Sequence, residues 1–389
     1  MPLHRPPIAH VVLLDGTLAS RRGRRATHIA TIRRLVLRAG SQRGPDAGKG
    51  GEPGGGPSGR MPVRVHYGRG LQWDDWRSVM TGRGIEDRIA TAYGWLASSW
   101  RPGDPIFVFG YSRGAFAARS LAGMIARVGL LRPGHATERN IRVAWRIYRD
   151  GASDAVRAGL RRRCHPQVPI DMLGLFDTVA ALGVRLPLLW MLTEGSHRFH
   201  SHGLAPHVRF GAHALALDET RAAFFPILWA DHPRGRVEQR WFRGSHADIG
   251  GQLDGCEECR PLANIPLVWM LEKAAAQGLP LPPDWREGLA TDATGPSMGT
   301  WYRWGRVFLL RAPRTVGTVG DRLHESVPLP YGGPALVIDP ERIRRSPRGA
   351  PERARTRFGG RLRAMRHRLR RRSGAKAAEP AAPSPDQAT

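Results

Sequence analysis

Cysteine is scarce in this chain: Cys164, Cys256 and Cys259 are all that 389 residues contain. Three cannot build a disulfide framework at this length, so the expectation is a reducing compartment and free thiols. Cys256-Glu257-Glu258-Cys259 has metal-ligand spacing, but a second pair is missing. With His246 and Asp254 it would make only a mixed site, and thiols in a loop are the simpler reading. No metal and no cofactor are expected. Long apolar runs are missing too. Nothing approaches the ~20 residues of a membrane span. Met1 to His10 holds three prolines and no apolar segment of signal-peptide length. The chain reads as cytoplasmic, with room for peripheral membrane contact or export by a non-classical route.

Acidic residues are few, 33 against 60 basic ones, for a formal charge of +27. Nearly all the basic residues are arginine. Either the composition is biased toward arginine, or the surface attracts an anionic partner, lipid headgroups or nucleic acid. No aromatic-interleaved RNA motif and no DNA-reading module is visible, which ranks lipid ahead. Gly48-Lys49-Gly50 faintly suggests a phosphate loop. Arg43 stands where its first glycine belongs and no Ser or Thr follows the lysine, so that reading is rejected.

What is present is an alternation of strands and helices. Ile8 to Leu14 is a short apolar run ending at Asp15-Gly16-Thr17, a first strand and its turn. A basic helix is predicted over Thr27 to Leu37, and a Gly/Pro-rich flexible loop over 40–60. Val63 to Tyr67 alternates with period two, a strand. Gly84 to Trp100 carries Ile85, Ile89, Tyr93 and Leu96 at helical spacing. Ile106 to Phe109 is a buried strand, and Ala115 to Val128 a helix. Arg139 to Arg163 has helical composition. Ile170 to Phe176 is a strand, Val208 to Leu217 a mixture of strand and helix, Val237 to Phe242 a strand, and Leu262 to Ala276 a helix. This order predicts an α/β protein: an α/β-hydrolase-like three-layer sandwich with a mostly parallel central sheet, plus a basic C-terminal extension. Residues 1–335 would form the catalytic domain and 336–389 a basic, partly disordered tail. Within the Arg-dense part, Glu341 to Lys376, one apolar stripe (Ala354, Phe358, Leu362, Met365, Leu369) suits a helix lying on an anionic membrane, with contact through Arg342 to Arg372. A solvated tail, or a helix docked on its own domain, explains it as well.

The chemistry gathers at strand ends. Gly110-Tyr111-Ser112-Arg113-Gly114 is G-x-S-x-G between a buried strand and a helix, the setting of a nucleophile elbow. Asp177 follows another buried strand in Leu173-Gly174-Leu175-Phe176-Asp177-Thr178. His246 follows a third in Gly244-Ser245-His246. Serine, aspartate, histidine is the chain order of α/β-hydrolases. In that reading Ser112 is the nucleophile, His246 its base and Asp177 the acid that orients the imidazole. The backbone N–H of Arg113, with one from Gly16 or Thr17, would hold an oxyanion. Asp15 and Asp248 are supporting candidates. Each residue also has a plain reading. A strand-end aspartate is often a helix cap, Asp248 either caps the following turn or is itself the acid, and His246 competes with His200, His207, His213 and His232.

Five segments together resemble a known family. They are Val11-Val12-Leu13-Leu14-Asp15-Gly16-Thr17; Gly103 through Arg119, with the serine motif at its centre; Phe176-Asp177-Thr178-Val179; His213-Ala214-Leu215-Ala216-Leu217-Asp218-Glu219; and Trp241 through Gly251, with His246 inside. The chain, over roughly 8–280, resembles the α/β-hydrolase domain family that includes the catalytic domains of type VI secretion phospholipase effectors (Tle-one-like). The resemblance implies a Ser-Asp-His esterase or lipase with its three roles on Ser112, Asp177 and His246, and a phospholipid among the candidate substrates. It also implies a membrane-binding module after the catalytic part, where this chain has a shorter basic segment. Two function classes remain. One is a serine hydrolase of carboxylic esters, with lipids or phospholipids as substrate. The other is a catalytically silent hydrolase fold that binds anionic membranes or nucleic acid.

Overall fold

In β1 (Ala9–Leu14) every residue is buried, the mark of a central strand covered on both faces of a parallel sheet. It pairs in parallel with β2 (Val63–Gly68) on one side and β3 (Ile106–Tyr111) on the other. β4 (Ile170–Phe176), β5 (Val208–Ala216) and β6 (Val237–Phe242) continue the sheet, all parallel. In the C-terminal part, β7 (Thr315–Val316) pairs with β9 (Leu336–Val337), while β8 (Arg322–Leu323) adds a short seventh strand beside β6. The sheet order is β2-β1-β3-β4-β5-β6-β8. This computed structural model describes residues 5–17, 19, 26–41, 61–70, 83–179, 203–229, 235–302, 305–306, 308–317 and 322–337. Most of the 40–60 loop, the apolar stretch Leu186 to Leu192 and the basic segment with its Arg342 to Arg372 stripe lie outside the described residues.

Alternation along the strands divides the core. Val12, Leu14, Val108 and Leu173 face a layer built by α2 (Arg83–Ser99), α3 (Arg113–Val128) and α4 (Glu138–Asp150), with Leu160 of α5 (Asp154–Arg161) at its margin. Val11, Leu13, Phe107 and Phe109 face the other layer, α1 (His28–Ser41) and α7 (Arg260–Ala276). The short α6 (His246–Gly250) lies between β6 and α7. Each fully buried Leu, Ile or Phe contributes about 1.5–3 kcal/mol relative to exposure, so two continuous apolar faces hold the three layers together. The expected α/β sandwich with a parallel central sheet is the observed one. Among the described residues, no helix is long and apolar enough to cross a membrane.

Three local expectations change. Val208–Ala216 is strand throughout. Its alanines favour a helix in isolation, but pairing with β4 and β6 and burial on both faces override propensity. The segment 139–163 is two helices broken after Asp150, where Gly151 takes φ 82°. Cys256 and Cys259 are not free thiols: they form a disulfide. A turn in which the Cys259 N–H donates to the Cys256 carbonyl brings the two side chains together. Cys164 is the buried free thiol, and burial pushes it up to about 11.

The approach of α3 to β1 positions everything that follows. A Cβ on Gly114 would stand 2.1 Å from the Leu14 carbonyl oxygen, and one on Gly110 2.5 Å from the Ala115 Cα. Both obstacles are backbone. Overpacking costs about 1–3 kcal/mol where side chains can shift, and backbone yields less readily. Gly114→Ala is therefore expected to lower unfolding free energy in urea by at least about 3 kcal/mol. Gly134→Ala, where a Cβ would meet nothing within 4 Å, is expected to change it by no more than about 0.5 kcal/mol.

Candidate active site

Ser112 sits between β3 and α3 at φ 58° and ψ −123°. A non-glycine residue held there stores about 1–3 kcal/mol of backbone strain, which persists only where surrounding structure enforces it. The Ser112 N–H donates to the Phe176 carbonyl at 3.0 Å, and the Ser112 carbonyl accepts from Ala115 at 3.1 Å. Successive connections leave β1 for β2 and then reverse to β3, so Ser112 lies at the carboxyl edge of the sheet's switch point, where α/β sheets form a crevice. The Asp15-Gly16-Thr17 turn leaves the end of β1 on the other side of that crevice. A Cβ on Gly16 would come 3.4 Å from the Ser112 Cβ.

Asp177 follows β4 with φ 43°, and it is one of three non-glycine residues with positive φ among the described residues. His246 opens α6. Its Nδ1 lies 2.6 Å from Asp177 Oδ2, and its Nε2 2.9 Å from Ser112 Oγ. Burial alone would raise the Asp177 carboxyl, but the Arg314 guanidinium and the His246 hydrogen bond outweigh it and hold the group well below the usual carboxylate range. An ionised carboxylate only accepts, so in the neutral imidazole the proton sits on Nδ1 and Nε2 is left as the acceptor for the serine hydroxyl. The arrangement can take a proton from Ser112 and return it to another oxygen.

The imidazole is held on every side. Tyr111 and Phe224 lie over its faces, each with ring centroids 4.9 Å away. The His246 N–H donates to Glu219 Oε2 at 3.1 Å, and the Gly244 N–H to Asp218 Oδ2 at 2.7 Å. Glu219 is itself paired with Arg221 at 2.6 Å, and Arg221 lies over the Phe224 ring at 4.1 Å. Asp218 and Glu219 stand in the motif that follows His213, which gave them no role. Arg314 was not singled out at all. Its Nη1 and Nη2 reach Asp177 Oδ1 and Oδ2 at 2.6 and 2.9 Å. Nothing in the sequence marks it among so many arginines.

The remaining candidates separate cleanly. Asp248 is a cap: Oδ2 accepts from the Ser245 N–H, the Ser245 hydroxyl and the Ser297 hydroxyl, and Oδ1 from the Met298 N–H. It does not touch His246 Nδ1, so the acid beside the imidazole is Asp177. Asp15 ties its turn together, accepting from the Gly16 N–H at 2.8 Å, the Thr27 hydroxyl at 2.7 Å and the Tyr67 hydroxyl. The Gly16 N–H thus points to Asp15 in this structure. Thr17 differs: among the described residues its buried hydroxyl has no hydrogen-bond partner. Arg113 is the first residue of α3, where helical N–H groups lack intrahelical acceptors. His213 accepts from the Thr178 N–H at 3.2 Å and lies on β5, with β4 between it and β3. His207 precedes β5, at the opposite edge of the sheet. His200 and His232 lie outside the described residues. Among the described residues, no group of three or more His, Cys, Asp or Glu is placed to hold a metal ion.

Comparison with known proteins adds a family. The sequence model of the Tle1-like phospholipase effector catalytic domain of type VI secretion matches residues 9–273. An uncharacterized protein of Saccharomyces cerevisiae is 35% identical over 161 residues, covering 38% of this chain and 22% of its own. The crystal structure of an uncharacterized protein from Pseudomonas aeruginosa aligns at TM-score 0.44 and 18% identity, covering 74% of this chain and 49% of that one. A Tle1 effector bound to the VgrG spike of the type 6 secretion system aligns at TM-score 0.34 and 20% identity, covering 64% and 52%. The chain thus spans about a fifth of the yeast relative and about half of each solved structure.

The buried histidines set a pH dependence of stability. Burial pushes His28 and His213 down from 6.5 to about 3. As pH falls below 6.5 the unfolded chain takes up these protons, while the folded chain stays neutral until about pH 3. Stability therefore rises with pH across that window and is lost on acidification, with a limiting slope of about 1.4 kcal/mol per pH unit for each histidine. His213→Asn is expected to reduce the slope measured by urea unfolding between about pH 6 and 5 by one such increment.

Proposed function

The chain belongs to the family of Tle1-like phospholipase effector catalytic domains, and from that membership we propose a serine hydrolase that cleaves carboxylic esters of phospholipids. The observation that carries the proposal is the relay in which Ser112 Oγ lies 2.9 Å from His246 Nε2 and His246 Nδ1 lies 2.6 Å from Asp177. As Ser112 Oγ attacks the ester carbonyl carbon, its proton passes to His246 Nε2. The imidazolium formed is stabilised by Asp177, which keeps its own negative charge. The tetrahedral oxyanion is held by the Arg113 N–H at the head of α3, with Thr17 as the second donor. One such donor is worth about 3–4 kcal/mol of transition-state stabilisation. Nε2 then gives its proton to the departing alcohol, leaving an acyl-Ser112 ester. Water repeats the sequence with His246 as base, releasing the fatty acid and restoring the hydroxyl.

An apolar path supports a lipid as the substrate. The Phe224 ring over His246 also touches Phe308, with centroids 5.1 Å apart. Beside them Phe225, Leu309 and Leu310 are exposed, as are Trp301 and Tyr302. The Arg311 guanidinium stacks on Trp301 at 3.7 Å. An apolar rim with arginines at its edge suits acyl chains below a phosphate layer.

Hydrolysis, labelling and two variants test this reading. The protein should release fatty acid from phospholipid vesicles, and a fluorophosphonate probe should label Ser112. Ser112→Ala should lose the label and at least about 1,000-fold in turnover; retained turnover would reject the proposal and favour a binding role. Leu309→Asp should lower hydrolysis of vesicles far more than that of a soluble p-nitrophenyl ester, and equal losses on both would exclude the rim from lipid contact.

A further inference from the structure

We infer that Arg314 is a positioning residue for the Asp177–His246 pair, supplied by a segment beyond residues 9–273 that the family model matches. The inference rests on the hydrolase reading of Ser112, Asp177 and His246. Arg314 is almost wholly buried. One nitrogen donates to Asp177 Oδ1 at 2.6 Å and to the Ala216 carbonyl at 2.7 Å; the other donates to Asp177 Oδ2 at 2.9 Å and to the Phe224 carbonyl. The guanidinium thus joins three points around the imidazole. It fixes the carboxylate plane that presents Oδ2 to His246 Nδ1. It anchors the end of β5, whose Ala216 N–H also donates to Asp177 Oδ1 at 3.0 Å. It tethers the residue whose ring stacks on His246. Without it, the carboxylate keeps the Ala216 N–H on one oxygen and His246 on the other, and Phe224 loses its backbone tether.

The backbone around Arg314 is built to hold it there. The Ala312 N–H donates to the Thr220 carbonyl, and the Arg314 carbonyl accepts from Leu336, both at 2.7 Å. β7 begins at the next residue and pairs with β9. Net stability alone does not account for the pair, although removing one partner would leave a buried charge unpaired. Buried ion pairs commonly contribute little against well-packed apolar residues, and among the described residues the buried Arg314 Nε–H has no hydrogen-bond partner. A planar fork that spans both carboxylate oxygens is specific to arginine; lysine offers a single point charge.

The test compares wild type, Arg314→Ala, Arg314→Lys, Asp177→Asn and Ser112→Ala on a soluble p-nitrophenyl ester, with thermal unfolding followed by circular dichroism. Arg314→Ala should lose about 100-fold in kcat, as misplacement by about 1 Å can cost, with KM little changed. Low concentrations of guanidinium ion should restore part of that loss, and should do nothing for wild type or Asp177→Asn. Arg314→Lys should be impaired in kcat as well. Wild-type kcat in a folded Arg314→Ala protein overturns the inference, and so does a deficit that guanidinium leaves untouched. If Arg314→Ala does not fold, Arg314→Lys decides: wild-type kcat, or failure of this variant to fold too, assigns Arg314 a structural role only. Turnover retained by Ser112→Ala or Asp177→Asn instead defeats the hydrolase reading itself.

Discussion

The Asp177 carboxylate accepts four hydrogen bonds where solvent does not reach: from the Ala216 N–H, from both terminal nitrogens of Arg314, and from His246 Nδ1. A buried charge without such partners would cost several kcal/mol or take up a proton. Satisfying it draws together the ends of β4 and β5, the loop after β6 and the segment before β7. The orientation of His246, and through it the acceptor facing Ser112, follows from that satisfied charge. The carboxylate is also why the imidazole can be assigned a tautomer, since an ionised acceptor requires the proton on Nδ1.

Around this centre the charges come in compensated pairs. Asp177 faces Arg314, and Glu219 faces Arg221. Glu219 is held below its usual range although burial opposes it, because Arg221 bonds to it and lies close. One pair meets the edge of the imidazole and the other its backbone, while Tyr111 and Phe224 cover its faces. Little rotational freedom is left to the ring. Such preorganisation is how a proton relay avoids the cost of reorientation during reaction. The strain at Ser112 belongs to the same design: β1, α3 and the Phe176 carbonyl enforce a backbone geometry that the serine would not adopt alone.

Much of this was legible in the chain. The buried runs of β1, β3 and β4 announced central parallel strands because they lack a polar face. The small residues of Gly110-Tyr111-Ser112-Arg113-Gly114 announced a tight strand-to-helix turn, and two of those positions do face backbone at contact distance. Three things were hidden. Val208 to Leu217 read as a mixture of strand and helix, since propensity is local and sheet burial is not. The fates of Asp15 and Asp248, each able to serve more than one role, depended on which donors lay nearby. Cys256 and Cys259 read as loop thiols because spacing carries no information about whether a turn brings two side chains together.

What the sequence determined by itself was the order and kind of the elements and the residue types at strand ends, because burial, alternation and steric need are written position by position. What only the tertiary structure decided was partnership. Arg314 lies 137 residues from Asp177, in no motif, among arginines that the chain has in excess. Its role arises because the segment before β7 crosses the carboxyl edge of the sheet and places a guanidinium against a charge that water cannot solvate. Such a pairing is a property of three-dimensional proximity and local dielectric, and neither is encoded at any single position.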